Sequence, residues 1–195
     1  MIFLIRHATN DLVGKVIPGW MPGLHLNAEG REQADRLARG LRGQGITRVF
    51  SSPLERAMET AAPLAGVCGI SVEVRERLGE LPPGEFSGRT LEDLETDPRW
   101  RQFNQFRGIT RAPGGELMLE TQARIVAEVL CLREEHPRES VAAVSHADPI
   151  RAALSYFLGM PLDLYSRIEI SPASVSVVRL EEWGPQVLAM NRLCE

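Results

Sequence analysis

Residues 1–10 read MIFLIRHATN, and residues 141–150 read VAAVSHADPI. In each, an apolar run of strand length stops abruptly at a histidine, preceded in the first case by an arginine. Short continuous apolar runs of this kind are buried strands, covered on both faces. Strands of this type alternate with segments of helical period. Ile2 to Ile5 precedes Ala34, Leu37, Ala38 and Leu41, and Thr47 to Ser51 precedes RAMET. That alternation predicts an α/β three-layer sandwich, a mostly parallel mixed sheet with helices on both faces, with ligands beyond the carboxyl ends of the strands. His7 and His146 stand at such ends.

Further elements follow from periodicity and end signals. SPLE at 52–55 matches a capping box, so a helix is expected from Ser52 with Pro53 first and Glu55 third, continuing through Pro63. A strand is expected over Ser71 to Arg75. A long helix carries Leu119, Ala123, Val126, Ala127 and Leu130 on one face, and another follows Val141 to Ser145, with Asp148 and Pro149 as cap and first position. Strand alternation returns from Arg167 to Leu180 and from Gln186 to Asn191. Residues 78–115, rich in Gly, Pro and charge, read as an insertion beside the site within a single domain over 1–195, with a short helix at Thr90 to Glu95.

Composition narrows the partners. The chain has 195 residues, 44% hydrophobic and 25% charged, with a formal charge of −4, which argues against general nucleic-acid or anionic-membrane binding and toward a small ligand. The opening apolar run is too short for a signal peptide or membrane span, and the reading is cytoplasmic, as a monomer or homodimer. Of the 22 basic residues 21 are Arg, a skew attributed chiefly to codon usage. Cys68, Cys131 and Cys194 show neither disulfide nor zinc spacing; the first two are expected as small core residues. Two distant histidines without a carboxylate cluster make a poor metal site, and no C-x5-R, GxxxxGK or HExxH motif is present. No metal or cofactor is called for.

Arg6, His7, Arg56 at the head of a helix, and His146 beside a second helix N-terminus would converge if the strands are neighbours. Two guanidinium groups and free backbone N–H groups suit a phosphoryl group. Six segments, in order, then resemble the histidine phosphatase superfamily, the phosphoglycerate mutase-like fold: LIRHATN, HLNAEGREQA, SSPLERAMET, LGELPPGEFSG, PGGE and VSHADPI. The resemblance implies a metal-independent phosphatase of histidine acid phosphatase type acting on a small phosphorylated metabolite. His7 would be the nucleophile, with Arg6, Arg56 and His146 on the phosphoryl oxygens and Glu80 as acid and base; Glu76 and Glu85 are rivals for that last role. Asn10, Gly19 and Ala147 are candidates for substrate binding. Trp20 either covers the ligand or packs beneath a loop, and Glu116 is left outside the site. Ala8, Asn10, Val13 and Ser87 depart from the family pattern. The alternatives are a phosphomutase of the same fold, which the chain's length disfavours, and a binding protein without turnover. The arginines at 89, 99, 101, 107 and 111 favour acidic substrates.

Overall fold

A computed structural model describes residues 1–194. The elements are β1 (Ile2–Arg6), α1 (Ala28–Gly40), β2 (Ile46–Ser51), α2 (Glu55–Cys68), β3 (Val72–Val74), α3 (Leu91–Glu95), α4 (Pro98–Gln105), α5 (Met118–Glu135), β4 (Ser140–Ser145), α6 (Ala147–Phe157), β5 (Val175–Glu181) and β6 (Gly184–Arg192). One six-stranded sheet has the order β3-β2-β4-β1-β5-β6. Its first four strands are mutually parallel, while β5 runs antiparallel to β1 and β6 antiparallel to β5. The α/β mixed-sheet expectation is met. Among the described residues no helix is long and apolar enough to cross a membrane.

Alternation along β1 divides the core. Phe3 and Ile5 face one cluster with Leu37, Ala38 and Leu64 from α1 and α2. Ile2 and Leu4 face the other, with Ile125, Val129, Ala153 and Leu154 from α5 and α6. Period-2 strands and period-3.6 helices therefore lock the sheet between two helical layers.

Four local expectations are corrected. Ser52 does not cap α2, which starts at Glu55 after Leu54 with no side-chain cap; the Ser52 hydroxyl lies too early in the chain, accepting Leu54 N–H at 3.3 Å and facing His146 Nε2 at 2.8 Å. Likewise α6 begins directly at Ala147 after His146, and the Asp148 carboxylate is bound by Arg107. On α5 the buried residues are Met118, Thr121, Ile125, Val126, Glu128, Val129 and Leu132, so of the expected face only Val126 is buried, and Leu119, Ala123, Ala127 and Leu130 are exposed. Glu128 and Thr121 on the inner face disguised its period. Cys68 and Cys131 are only half-buried.

Residues 78–115 hold α3, capped by the Thr90 hydroxyl, and α4, which was not foreseen. Asp97 caps α4 and Pro98 occupies its first position, a start signal overlooked within a charged segment. Phe86, Trp100 and Phe103 pack together here, with ring centroids 5.2–5.9 Å apart.

Candidate active site

The register of β1, β4 and β2 brings their tips into line, Arg6 opposite Ser145 and Ser51 opposite Val144. The next residue of each strand is held by one more backbone bond: His7 N–H donates to the Ser145 carbonyl at 2.9 Å, and Ser52 N–H to Val144 at 2.9 Å. Rigid sheet thus places His7, His146 and Ser52 in one row. The two imidazoles meet edge to face, centroids 5.1 Å apart, and both are buried.

The tautomer of His7 is fixed by its neighbour. Its Nδ1 is 2.8 Å from the Ala8 carbonyl oxygen, which can only accept, so Nδ1 carries the proton. Nε2 is left with its lone pair outward, and Arg56 Nε donates to it at 3.3 Å. Burial, followed by the charges of Arg56 and Arg6, holds the imidazole well below its usual pKa, so the ring is neutral at pH 7. Thr60, one turn along α2, accepts Ala8 N–H at 2.9 Å and donates to the Arg56 carbonyl at 2.7 Å, tying the strand tip to the helix.

Around Nε2 lie donors whose protein partners do not use them up. Arg6 gives Nη1 to the Ile170 carbonyl at 2.6 Å, and its Nε is buried without a protein acceptor. Arg56, fully buried, gives Nη2 to the Gly19 carbonyl at 2.9 Å and leaves Nη1 unpartnered. Asn10 accepts Leu12 N–H at 3.0 Å through its oxygen and leaves Nδ2 unpartnered. His146 Nε2 stands 2.8 Å from Ser52 Oγ, and its Nδ1 is likewise unpartnered. Buried polar groups are nearly always satisfied, so several unpaired donors around one imidazole mark an anion site. The N-terminus of α6 at Ala147 and Asp148 opens on the same cavity.

Glu80 enters from the loop after β3. Its Oε1 accepts Leu81 N–H at 2.8 Å and its Oε2 is 3.8 Å from His146 Nδ1. Burial, then the nearby charge of Asp148, pushes its pKa up to about 7. Neither rival glutamate lines the cavity, and Glu85 is paired with Arg99 at the surface. The Glu80 loop is clamped by Arg124, which donates to the carbonyls of Arg77 at 2.7 Å and Gly79 at 2.9 Å while Glu116 holds it at 2.9 Å. Glu116 is thus a support for the loop. Trp20 packs against Gly79 and donates to the Glu80 carbonyl at 2.7 Å, and it does not line the cavity.

The cavity has a volume of about 330 Å³, in the range of small-ligand sites. A family model described as the histidine phosphatase superfamily (branch 1) matches residues 2–193. The chain belongs to the histidine phosphatase superfamily. It is 29% identical to "Phosphoserine phosphatase 1" of Hydrogenobacter thermophilus over 99% of this chain and 92% of that one. It is 33% identical to "Probable phosphoglycerate mutase GpmB" of Yersinia enterocolitica, covering 93% and 85%. The solved structure described as Bacillus stearothermophilus YhfR superposes with a TM-score of 0.92 at 25% identity, covering 98% of this chain and 96% of that one.

Within this histidine phosphatase, Arg6, His7, Asn10, Gly19, Glu80 and Ala147 all line the one cavity, with Arg56 and His146 touching that group from behind. Gly19, at φ +50°, supplies a carbonyl to Arg56, and a Cβ there would lie 2.4 Å from the Pro83 ring. Val13 does line the cavity, as an apolar wall. Of the five arginines within residues 78–115 only Arg107 lines it; Arg89, Arg99 and Arg111 are paired with Asp97, Glu85 and Glu120, and Arg101 binds the Glu95 carbonyl. Sequence reasoning missed Ser52, Thr60 and Arg124 as supports. Only Thr60 carried a signal, lying four residues from Arg56 on one helix face.

Proposed function

We propose that the chain is a metal-independent phosphomonoester hydrolase of histidine acid phosphatase type that works through a phosphohistidine on His7. The observation that carries this reading is the neutral, buried Nε2 of His7, facing outward among unpartnered donors of Arg6, Arg56, Asn10 and His146. The cavity's size suits a small phosphorylated metabolite, and relatives described as a phosphoserine phosphatase and a probable phosphoglycerate mutase support the class.

In the first step Nε2 attacks phosphorus in line, the P–N bond forms, and the bond from phosphorus to the ester oxygen breaks. Glu80, protonated through much of the neutral range, gives its proton to that oxygen. The four donors stay on the non-bridging oxygens, whose charge they stabilise in the transition state by about 3 kcal/mol per well-placed donor. In the second step Glu80, now a carboxylate, takes a proton from water as the water oxygen attacks phosphorus. The P–N bond breaks, phosphate leaves, and neutral His7 returns.

Release of phosphate from p-nitrophenyl phosphate, with a chelator present, tests the reading. The wild type is expected to turn over with a phosphoryl group trapped on His7 by an alkaline denaturing quench and lost again on acidification, and His7→Ala to lose at least ~10³-fold in kcat. No hydrolysis at any pH defeats the phosphatase reading; full activity in His7→Ala defeats the mechanism. The 33% identity to a probable phosphoglycerate mutase favours a second reading, phosphoryl exchange between positions of a phosphoglycerate, which is assayed directly.

A further inference from the structure

Beyond Arg6, two further arginines line the same cavity, Arg151 and Arg107, and Arg107 makes no bond to His7, Arg6, Arg56, Asn10 or His146. Arg107 follows α4, and its side chain is 7% exposed. Its guanidinium lies 4.0 Å from the Phe103 ring centroid, 5.2 Å from Tyr165 and 5.9 Å from Trp100. Nη1 donates to Asp148 at 3.2 Å and Nη2 to Asn104 at 2.7 Å. Nε is buried with no protein acceptor. The next residue is pinned as well, Gly108 N–H donating to Asp163 at 2.7 Å.

A buried arginine held only for stability would have its donors satisfied, and it would not line a ligand cavity. Nor is Asp148 a ligand group. Arg107 binds one of its oxygens, and the Tyr165 hydroxyl at 3.3 Å and Arg151 at 3.5 Å reach the other. Burial, then Asp148, raises the Tyr165 pKa, so the phenol keeps the proton it donates. The carboxylate is a bracket for two arginines on one wall. A stacked guanidinium fixed by an acid on one edge, with a donor to spare, is pre-organised for a planar anion.

We propose that Arg107 is a specificity-determining residue that binds a carboxylate of the substrate, so that the preferred substrates are small phosphorylated carboxylic acids. The proposal rests on the reading of the His7 end as the phosphoryl site. Asn104, Phe103 and Tyr165 act as positioning residues for the guanidinium.

A matched pair of ligands tests this by binding, without turnover. 3-Phosphoglycerate and glycerol 3-phosphate differ in carboxylate against hydroxymethyl, and each is titrated calorimetrically into the His7→Ala protein. The expected preference for the carboxylate is ~10- to 100-fold, the range of one charged hydrogen-bonded contact. Adding Arg107→Gln should reduce it to under ~3-fold while glycerol 3-phosphate binding changes by less than ~3-fold. Arg107→Lys, which keeps the charge but loses the fork, should retain only part of it. Equal binding of the two ligands by the parent protein overturns the proposal, and so does a preference that survives Arg107→Gln. If the Gln variant fails to fold, the parent's ratio and the Lys variant still decide. Absence of p-nitrophenyl phosphate hydrolysis by the wild type would count against the phosphatase reading alone, since the binding ratios are measured without catalysis.

Discussion

Arg56→Met separates what the site needs from what the fold needs. The Arg56 side chain is fully buried at the head of α2, where burial lowers its pKa and no acid bonds it. Its protein bonds are one to His7 Nε2 at 3.3 Å and one to the Gly19 carbonyl at 2.9 Å. Losing those two costs roughly 1–3 kcal/mol each. Removing a buried ion that Glu80 and Glu55 offset only from a distance returns several kcal/mol of desolvation. Met fills nearly the same volume, so the expected net change in stability is within about 2 kcal/mol of zero. For a chain of this length that is a Tm shift under ~8 °C. Arg56→Ala, which opens a cavity, should lose more, about 3–5 kcal/mol. Phosphate release should fall ~10²- to 10³-fold in the Met variant, because a transition-state donor is gone. The His7 pKa, followed by NMR, should rise toward its ordinary value in that variant, since Arg56 is the largest charge depressing it. The reasoning fails if Met is as destabilising as Ala, or if the Met variant keeps activity within ~5-fold of the wild type.

Three further substitutions probe the acid and the backbone. With Glu80 near pKa 7, hydrolysis should decline above that pH, and Glu80→Gln should flatten this limb and cost ~10²- to 10⁴-fold, more for alkyl than for aryl phosphates. Because the folded pKa is raised, the folded state binds the extra proton between pH 4.5 and about 7. Glu80→Gln should therefore gain stability over the wild type as pH rises through that window and hold the gain above it, as urea unfolding at several pH values would show. At Gly30 in α1 an added Cβ would lie 2.0 Å from the Thr9 carbonyl oxygen, so Gly30→Ala should destabilise by ~1–3 kcal/mol and lower activity by shifting the His7 strand tip. Gly66 in α2 has open space, and Gly66→Ala should stabilise by ~1 kcal/mol. Thermal unfolding of the pair checks both signs.

Much of the frame was legible in the chain itself. The apolar runs ending at His7 and His146 are β1 and β4, because a strand buried on both faces needs near-continuous apolar residues and any polar side chain must wait for its end. α1 followed from its period, whereas the inner face of α5 did not, since Glu128 and Thr121 face inward and Leu119 and Leu130 face out. Cap signals misled at Ser52 because its hydroxyl lies too early in the chain for a helix that starts at Glu55, and at Asp148 because a carboxylate that could cap a helix can serve another partner, here 41 residues away. The α4 segment was hidden because only Trp100 and Phe103 mark its inner face.

By itself the sequence determined the strand tips, the order of elements and the residue types that meet there, since periodicity and end signals are local and written in the chain. Only the tertiary structure decided that the His7 proton sits on Nδ1, that Glu80 rather than Glu76 or Glu85 reaches the cavity, and that Arg107 alone among five arginines does so. Those outcomes depend on which distant groups compete for each donor. Arg107 is caged by a ring from α4, a ring 58 residues further on and a carboxylate from α6, and no local pattern encodes such a meeting.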